Sequence, residues 1–259
     1  MYGAIIGDLS GSTYEYHQFN KTEPVKVDRL IDDKSFFSDD TILTMAILDA
    51  IINGNCNYEE YLRRYALKYK NYLPRTYHYF QTIFSPGFTK WAMGEKEGNS
   101  VGNGAMMRIS PVGYLFDTEE EVIKNARLAT IPSHNSEEAI KAATDVALLI
   151  FYLRKGYSKD EAFQKLNICV RFQSFKKFNY TCSETFPNCM SVIYTSNSFE
   201  EAVMRAVEMG GDTDTNAAIV GSIAEAIYGI KTDTILEANN KIPQEFIDLL
   251  ETGYKLIKK

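Results

Sequence analysis

Two short acidic clusters stand far apart in the sequence. The first is Ser38-Asp39-Asp40-Thr41 and the second is Gly211-Asp212-Thr213-Asp214-Thr215. Each cluster places two carboxylates and at least one hydroxyl beside the start of a helical pattern. Carboxylates that are held together repel each other unless a proton or a cation lies between them. The two clusters therefore suggest a site for a hard metal ion.

The same residue types also have a purely structural use at helix N-termini, where they accept hydrogen bonds from unpaired backbone amides. A single cap needs one acceptor, whereas each cluster here supplies two carboxylates and further hydroxyls, those of Ser38, Thr41, Thr213 and Thr215. Oxygen ligands without His or Cys favour Mg²⁺, Mn²⁺ or Ca²⁺ over zinc or copper. Four carboxylates could hold two divalent ions, which would activate water or align the hydroxyls of a substrate.

The N-terminal segment adds a third group of polar residues. If residues 3 to 16 form one helix, its glycines make a stripe for close packing, namely Gly3, Gly7 and Gly11. Its polar residues, at spacings of four and three, then share one face: Asp8, Ser12 and Glu15. Three helical glycines cost roughly 1 kcal/mol each, so we expect this helix to be tightly buried. The segment lacks the G-K-[ST] and G-x-G-x-x-G patterns of nucleotide-binding loops, so such a loop is discounted.

Two further segments have the character of ligand-binding elements. Ser100-Val101-Gly102-Asn103-Gly104 is an amide-rich turn that could surround an anion with backbone N–H groups. His134 stands just before a helix that begins at Ser136, and a helix N-terminus favours phosphate oxygens. Taken alone, the turn is a common helix entry and a lone histidine is more often structural.

The remaining pattern is helical. Apolar periodicity predicts helices over residues 40–52, from Ser136 to near Gly156, over 199–209, and from Asp214 to near Gly229. Capping boxes open helices at Thr118, Ser158 and Ser198. Residues 169–175 and 178–182 are weak strand candidates. We expect an all-α fold, a single compact multi-helix domain that spans residues 1–259.

Composition excludes several classes of protein. The chain has 259 residues, of which 45% are hydrophobic, and a formal net charge of −6. The negative charge argues against a general nucleic-acid surface. No secretory signal or membrane-spanning apolar run is apparent, and the four cysteines lack zinc-binding spacing. These features favour a cytoplasmic protein with reduced thiols that does not associate with membranes, and nothing in the sequence demands more than a monomer.

In this order, these segments together resemble the ADP-ribosylglycohydrolase family, which includes enzymes that release ADP-ribose from dinitrogenase reductase and the related ADP-ribosyl-acceptor hydrolases. The resemblance covers residues 3 to about 229 and rests on five matching pieces. They are Gly3-x-x-x-Gly7-Asp8-x-x-Gly11-Ser12-x-x-Glu15, Ser38-Asp39-Asp40-Thr41, Gly102-Asn103-Gly104-Ala105-x-Met107-Arg108-x-x-Pro111-x-Gly113, Ser133-His134-Asn135, and Gly210-Gly211-Asp212-Thr213-Asp214-Thr215-x-Ala217-Ala218-Ile219-x-Gly221.

The resemblance implies a binuclear centre of Mg²⁺ or Mn²⁺ between the helices of an all-α fold. The metal ligands that it implies are Ser38, Asp39, Asp40, Asp212, Asp214 and Thr215. Glu15 would lie beside the metals as a further ligand or a substrate gate, and Asp8 would support the ligands from behind. The residues that would line the cleft for ADP-ribose are Ser100, Gly102, Asn103, Gly104 and His134.

Two positions depart from the family pattern. Ser38 replaces a threonine that is common in the family and keeps the hydroxyl. The segment from Glu184 to Met190 reads ETFPNCM, where relatives carry a Gly-x-Val-Pro-Glu-Ala-like helix. This second difference bears on substrate preference more than on the metal centre.

The function that the resemblance implies is metal-dependent hydrolysis of the glycosidic bond between ADP-ribose and an acceptor. The general base would be Glu15, with Asp39 as the alternative. The substrate would be an ADP-ribosylated protein, with arginine linkage first, or a small ADP-ribose conjugate; serine, acyl and nucleic-acid linkages stay open. Two other classes also stay open: a silent ADP-ribose-binding relative, as among lens crystallins, and a metal-dependent phosphohydrolase, which would release AMP rather than ADP-ribose.

Overall fold

The computed structural model describes residues 1–18, 25–74, 82–95, 97–172 and 178–257. Within these ranges the regular elements are helices, with two isolated β-bridges. The helices are α1 Tyr2–Gly11, α2 Glu15–Gln18, α3 Asp39–Ile52, α4 Tyr58–Lys68, α5 Pro86–Ala92, α6 Gly104–Met107, α7 Ser110–Leu115, α8 Glu119–Thr130, α9 Glu137–Arg154, α10 Lys159–Lys165, α11 Cys182–Thr195, α12 Phe199–Glu208, α13 Thr213–Tyr228, α14 Thr232–Asn239 and α15 Gln244–Leu256. The all-α expectation is confirmed.

The weak strand candidates do not form a sheet in the described chain. Of the second candidate, only Thr181 pairs, in an isolated bridge with Gly102. The first candidate shows no strand up to residue 172, and its residues 173–175 lie outside the described ranges. None of the described helices is both long and apolar enough to cross a membrane.

Helices α1 and α13 form the centre of the molecule. Every residue of α1 is buried, and α13 is buried from Thr213 to Ala224. A Cβ atom at Gly3 would overlap the backbone of Gly221, and one at Gly7 would overlap the backbone of Ala217. The glycine stripe therefore lets two backbones touch, as the sequence predicted. This approach brings Asp8 of α1 beside the start of α13.

The expectation of one helix over residues 3–16 is wrong, because α1 ends at Gly11. The carbonyl of Gly11 accepts bonds from Thr213 Oγ1 at 2.8 Å and from Tyr14 N at 2.9 Å. The chain therefore turns against the start of α13 and resumes as α2 at Glu15. Asp8 and Glu15 consequently belong to different helices, and Ser12 Oγ accepts from the amide of Phe36 at 3.2 Å.

Caps and glycines set the starts of the two helices that carry the acidic clusters. Ser38 is the N-cap of α3 and accepts from the amide of Asp40 at 3.2 Å. Between α12 and α13, Gly210 and Gly211 take φ angles of 78° and 75°, a region that residues with a Cβ rarely occupy. Two such residues in succession reverse the chain, so that Asp212 becomes the N-cap of α13.

The segment that departs from the family pattern remains helical. Residues 184–190 lie within α11, which Thr181 caps by accepting from the amide of Glu184 at 3.3 Å and which contains Pro187. Thr185 is fully buried, and Cys189 Sγ lies 3.7 Å from Asn216 O of α13. This segment packs behind the second acidic cluster, and none of its residues lines the cleft described below.

Candidate metal centre and ligand cleft

A cleft of about 820 Å³ opens between the N-termini of α3 and α13 on one side and the segments around α5 and α6 on the other. Its acidic end is lined by Glu15, Asp39, Asp40, Asp212 and Asp214. The loop over residues 100–104 and His134 also line it. The cleft therefore unites segments that are distant in the sequence.

The carboxylates at the acidic end form two groups of three that share Asp214. In the first group, oxygens of Asp8, Asp40 and Asp214 all lie within 4.8 Å of one another. In the second, the same holds for Glu15, Asp212 and Asp214. A carboxylate that belongs to both groups could bridge two neighbouring cations.

Asp8 is held through one of its oxygens. Oδ2 accepts from the amides of Ser38 and Thr41 at 2.8 and 3.1 Å and from Thr41 Oγ1 at 2.5 Å. Oδ1 is buried and has no hydrogen-bond partner among the described residues. The sequence placed Asp8 behind the ligands; in the structure it also contributes a carboxylate oxygen to the first group.

Asp40, like Asp8, has one hydrogen-bonded carboxylate oxygen and one unpaired oxygen. Its Oδ2 accepts from Ser38 Oγ and from Thr215 Oγ1, both at 3.2 Å, while Oδ1 is buried without a partner in the described chain. An unpaired carboxylate oxygen in the interior is costly. Two of them lie in the first carboxylate group, where a proton or a cation between the carboxylates would offset this cost.

Burial and mutual repulsion raise the pKa values of the whole set. Burial raises the pKa of Asp8 to about 7, with a further contribution from Asp214, and it raises the pKa of Asp212 to about 6. The pKa values of the other carboxyls also rise well above their ordinary values, with burial again the largest cause; these are Glu15, Asp39, Asp40 and Asp214. This oxygen-only donor set with orphaned atoms fits hard divalent cations.

The structure brings most of the expected metal ligands together. Asp40 and Asp214 belong to the first group, and Ser38 and Thr215 bond to Asp40; Asp212 and Glu15 belong to the second group. Asp39 lines the cleft and is half-buried, but it belongs to neither group. Its placement at the first position of α3 leaves it beside the carboxylates rather than among them.

Two asparagine side chains hold the second acidic cluster in place, and only one of them, Asn103, was among the site residues predicted from the sequence. Asn103 Nδ2 donates to Asp212 Oδ2 at 2.7 Å, so this residue of the cleft loop also supports a carboxylate. Asn179 Oδ1 accepts from the amide of Asp212 at 2.8 Å, and Asn179 Nδ2 donates to Thr185 Oγ1 and Asn216 Oδ1 at 2.8 and 3.0 Å. Asn179 was missed because it follows no motif and lies in a segment with only a weak strand pattern.

The other end of the cleft carries neutral, cationic and aromatic groups. His134 is 6% exposed, and its Nδ1 lies 2.8 Å from Ser133 Oγ. Arg108, known from the sequence only as part of a motif, is 1% exposed and donates to Ser133 Oγ at 2.7 Å. Aromatic side chains complete the wall, namely Phe84, Phe88, Phe178 and Tyr180. No periodicity in the sequence marked these four residues as cleft residues.

Comparison with known proteins assigns the fold to a family. The model of the ADP-ribosylglycohydrolase family matches residues 1–258. The protein is 23% identical to ADP-ribosylhydrolase ARH3 of Mus musculus, over 88% of this chain and 82% of that protein. It is 26% identical to ADP-ribosyl-[dinitrogen reductase] glycohydrolase of Rhodospirillum rubrum, over 52% and 48% of the two chains, and 23% identical to ADP-ribosylarginine hydrolase Tri1 of Serratia proteamaculans, over 61% and 44%.

A solved structure described as an ADP-ribosylglycohydrolase-related protein complex has the same fold. It superposes with a TM-score of 0.74 at 18% sequence identity, over 99% of this chain and 96% of that one. The likeness extends over the whole helical assembly that carries the acidic clusters. Together with the match over residues 1–258, it shows that the chain belongs to the ADP-ribosylglycohydrolase family, whose enzymes act on glycosidic linkages of ADP-ribose.

Proposed function

We propose that this protein is a metal-dependent hydrolase that cleaves the glycosidic bond between ADP-ribose and an acceptor on a protein. The observation that carries the proposal is the pair of carboxylate groups joined at Asp214, with unpaired oxygens on Asp8 and Asp40. Their members other than Asp8 line one end of a cleft of about 820 Å³, a volume within the range of ligand sites for small molecules and cofactors.

The residues that would hold the ions follow from the two groups. Asp8, Asp40 and Asp214 would surround one ion, and Glu15, Asp212 and Asp214 the other. The hydroxyls of Ser38 and Thr215, which bond to Asp40, are further candidate ligands, and Asp39 is a candidate from its place in the cleft wall. Mg²⁺ or Mn²⁺ bound there would engage the hydroxyls of the substrate ribose and lower the pKa of a water molecule. The carboxylates themselves would stabilise positive charge that develops on the ribose as the bond breaks.

Glu15 is the candidate for proton transfer. It begins α2, is half-buried, and lines the cleft at the edge of the second group. Burial, followed by the charges of Asp214 and Asp212, raises its pKa well above the ordinary value. Divalent ions beside Asp212 and Asp214 would offset this repulsion and favour the ionised carboxylate, which is the form that accepts a proton from an attacking water. Asp39 is the alternative, because it also lines the cleft outside the two groups.

The acceptor is assigned first to arginine. Tri1 is named as an arginine hydrolase, and the enzyme of Rhodospirillum rubrum is named for dinitrogen reductase. Serine-, acyl- and nucleic-acid-linked ADP-ribose are the alternatives, together with a member that binds ADP-ribose and does not hydrolyse it.

A substrate panel tests the proposal directly. The purified protein would be given arginine-, serine-, acyl- and nucleic-acid-linked ADP-ribose with Mg²⁺ or Mn²⁺, and free ADP-ribose and AMP would be quantified separately. We expect release of ADP-ribose, fastest from the arginine conjugate, and loss of release after chelation. Release of AMP would identify a phosphohydrolase instead. Binding of ADP-ribose without turnover of any conjugate would identify the silent alternative.

The roles of the two candidate bases need their own comparison. In Glu15→Gln and Asp39→Asn the size of each side chain is kept and its capacity to accept a proton is removed, while Glu120→Gln on the exposed start of α8 serves as the control. We expect Glu15→Gln to lower kcat by at least about 100-fold, the usual range for a general base. Near-normal turnover in Glu15→Gln with a large loss in Asp39→Asn would transfer the role to Asp39.

A further inference from the structure

The buried hydroxyl of Thr185 joins two asparagine side chains, and each of these holds Asp212. Thr185 Oγ1 accepts from Asn179 Nδ2 at 2.8 Å and, in a longer bond, from Asn103 Nδ2 at 3.4 Å. Asn103 Nδ2 also donates to Asp212 Oδ2 at 2.7 Å. Asn179 Oδ1 accepts from the backbone amide of Asp212 at 2.8 Å. The carboxylate and the backbone of Asp212 are thus fixed by two amide groups that meet at one hydroxyl.

Hydrogen-bond chemistry sets the orientation of both amide groups. An ionised carboxylate can only accept, so Asn103 presents its NH₂ group to Asp212. A backbone N–H can only donate, so Asn179 presents its oxygen to Asp212 and keeps its NH₂ group for Thr185. A hydroxyl oxygen has two acceptor lone pairs, which is the number that the two NH₂ groups use. A side chain without an acceptor at this position would leave both bonds unmade.

The same residues are attached to the cleft loop. Asn103 belongs to this loop, and its backbone amide donates to Tyr180 O at 2.8 Å. The amide of Cys182, the first residue of α11, donates to Val101 O of the loop at 2.9 Å. Thr185 lies in the first turn of α11 and does not line the cleft. It therefore connects the loop with the second acidic cluster from outside the cleft.

We infer that Thr185 is a positioning residue that couples the metal ions to the cleft loop, and the part of this inference that concerns the ions rests on the proposed function. An ion that binds Asp212 restricts its carboxylate, and Asn103, which bonds to that carboxylate, is then restricted as well. Thr185 keeps Asn103 and Asn179 from turning away separately. The loop is therefore more ordered when the ions are bound, and by the reciprocity of coupled sites an ordered loop strengthens ion binding.

Hydrogen–deuterium exchange with and without Mn²⁺ tests this coupling. In the natural protein we expect Mn²⁺ to slow amide exchange over residues 98–107 by about fivefold or more, a typical coupling between two sites. In Thr185→Val, which keeps the shape and removes the hydroxyl, Mn²⁺ should leave this exchange nearly unchanged, and Thr185→Ser should restore the effect. Thr195→Val is the matched control, because this hydroxyl bonds within the same helix, to Ser191 O at 2.8 Å.

Calorimetry with Mn²⁺ measures the reciprocal effect. Thr185→Val should weaken Mn²⁺ binding by about threefold to tenfold, the range for one hydrogen bond, whereas Thr185→Ser and Thr195→Val should bind Mn²⁺ like the natural protein. Asn103→Ala removes the amide group shared with Asp212 and should also abolish the effect of Mn²⁺ on the loop, which keeps the test intact if Thr185→Val does not fold. Protection of the loop by Mn²⁺ that persists in Thr185→Val or in Asn103→Ala overturns the inference.

Failure of the coupling and failure of the proposed function give different results. Mn²⁺ binding without slower exchange in the loop of the natural protein overturns the coupling and leaves the hydrolase activity to the substrate panel. A natural protein that binds no Mn²⁺ overturns the coupling together with the metal dependence. If Mn²⁺ protects the loop through Thr185 but no conjugate is hydrolysed, the coupling is supported and the proposed activity fails.

Discussion

The hydroxyl of Thr41 donates to Asp8 Oδ2 at 2.5 Å and ties the start of α3 to the middle of α1. The amides of Thr41 and Ser38 donate to the same oxygen. Because three donors meet at Oδ2, Asp8 Oδ1 is left unpaired in the group that Asp8 forms with Asp40 and Asp214. Asp8 thus positions the first acidic cluster and is also a member of the first carboxylate group.

The first prediction concerns this double role of Asp8. In Asp8→Asn the amide oxygen can still accept the three bonds, but an NH₂ group replaces the unpaired oxygen and the negative charge is lost. We expect the affinity for Mn²⁺, measured by calorimetry, to fall at least about tenfold, while the circular dichroism spectrum is preserved. Asp248→Asn on the exposed face of α15 is the control. Unchanged Mn²⁺ affinity in Asp8→Asn would remove Asp8 from the metal centre.

A second prediction separates support of the metal centre from contact with the ions. Asn179 touches the amide of Asp212 but is not part of either carboxylate group. Asn179→Ala should free the turn that carries Asp212 and lower Mn²⁺ affinity by about 10- to 100-fold, the usual effect of losing such a supporting group. Asn197→Ala, at an exposed position before α12, provides the matched control. Equal affinities in the two variants would show that the turn holds its shape without Asn179.

A third prediction addresses the contact between α1 and α13. In Gly7→Ala the new Cβ would overlap the backbone of Ala217, so the two helices must separate. We expect the free energy of unfolding in urea to fall by about 1–3 kcal/mol or more, with loss of Mn²⁺ binding because the shared carboxylate groups span these helices. In Gly104→Ala the nearest atom outside the chain neighbours lies at 3.4 Å, so this variant should fold normally. Equal stability of both variants would contradict the packing argument.

The fourth prediction is a dependence of stability on pH in the absence of metal. The pKa values of Asp8 and Asp212 rise from 3.8 to about 7 and about 6 in the folded protein. Between about pH 4 and pH 7 the folded state therefore holds protons that the unfolded chain has released, and stability falls as the pH rises through this window. In EDTA, Tm should be higher at about pH 5.5 than at about pH 7.5.

Divalent ions should reverse this trend, because they replace the protons between the carboxylates. The rise in Tm on adding Mg²⁺ should accordingly be larger at the higher pH. Asp212→Asn combined with Asp214→Asn serves as the comparison, since it removes two of the carboxylates, leaves Asp8, and should reduce both effects. A metal-free Tm that increases with pH over the same window would contradict the assigned burial of these carboxyls.

Much of the site could be predicted because its residues stand in short local patterns. Asp40 and Asp214 each follow a helix-start signal, and the Gly210-Gly211 pair before Asp212 has the positive φ angles that its composition suggested. The break after Gly11 could not be predicted. It depends on Thr213, about 200 residues further along the chain, which donates to the carbonyl at the end of α1.

The sequence by itself determined the all-α class, the family and the two acidic clusters, since periodicity, capping and motif order are properties of neighbouring residues. Only the tertiary structure decided which carboxylates meet. It placed Asp8 in the first group, left Asp39 outside both, and brought Asn179 behind Asp212. The physical reason is the backbone contact between α1 and α13, which sets the distance between Asp8 and Asp214. No pattern of neighbouring residues in the sequence specifies that distance.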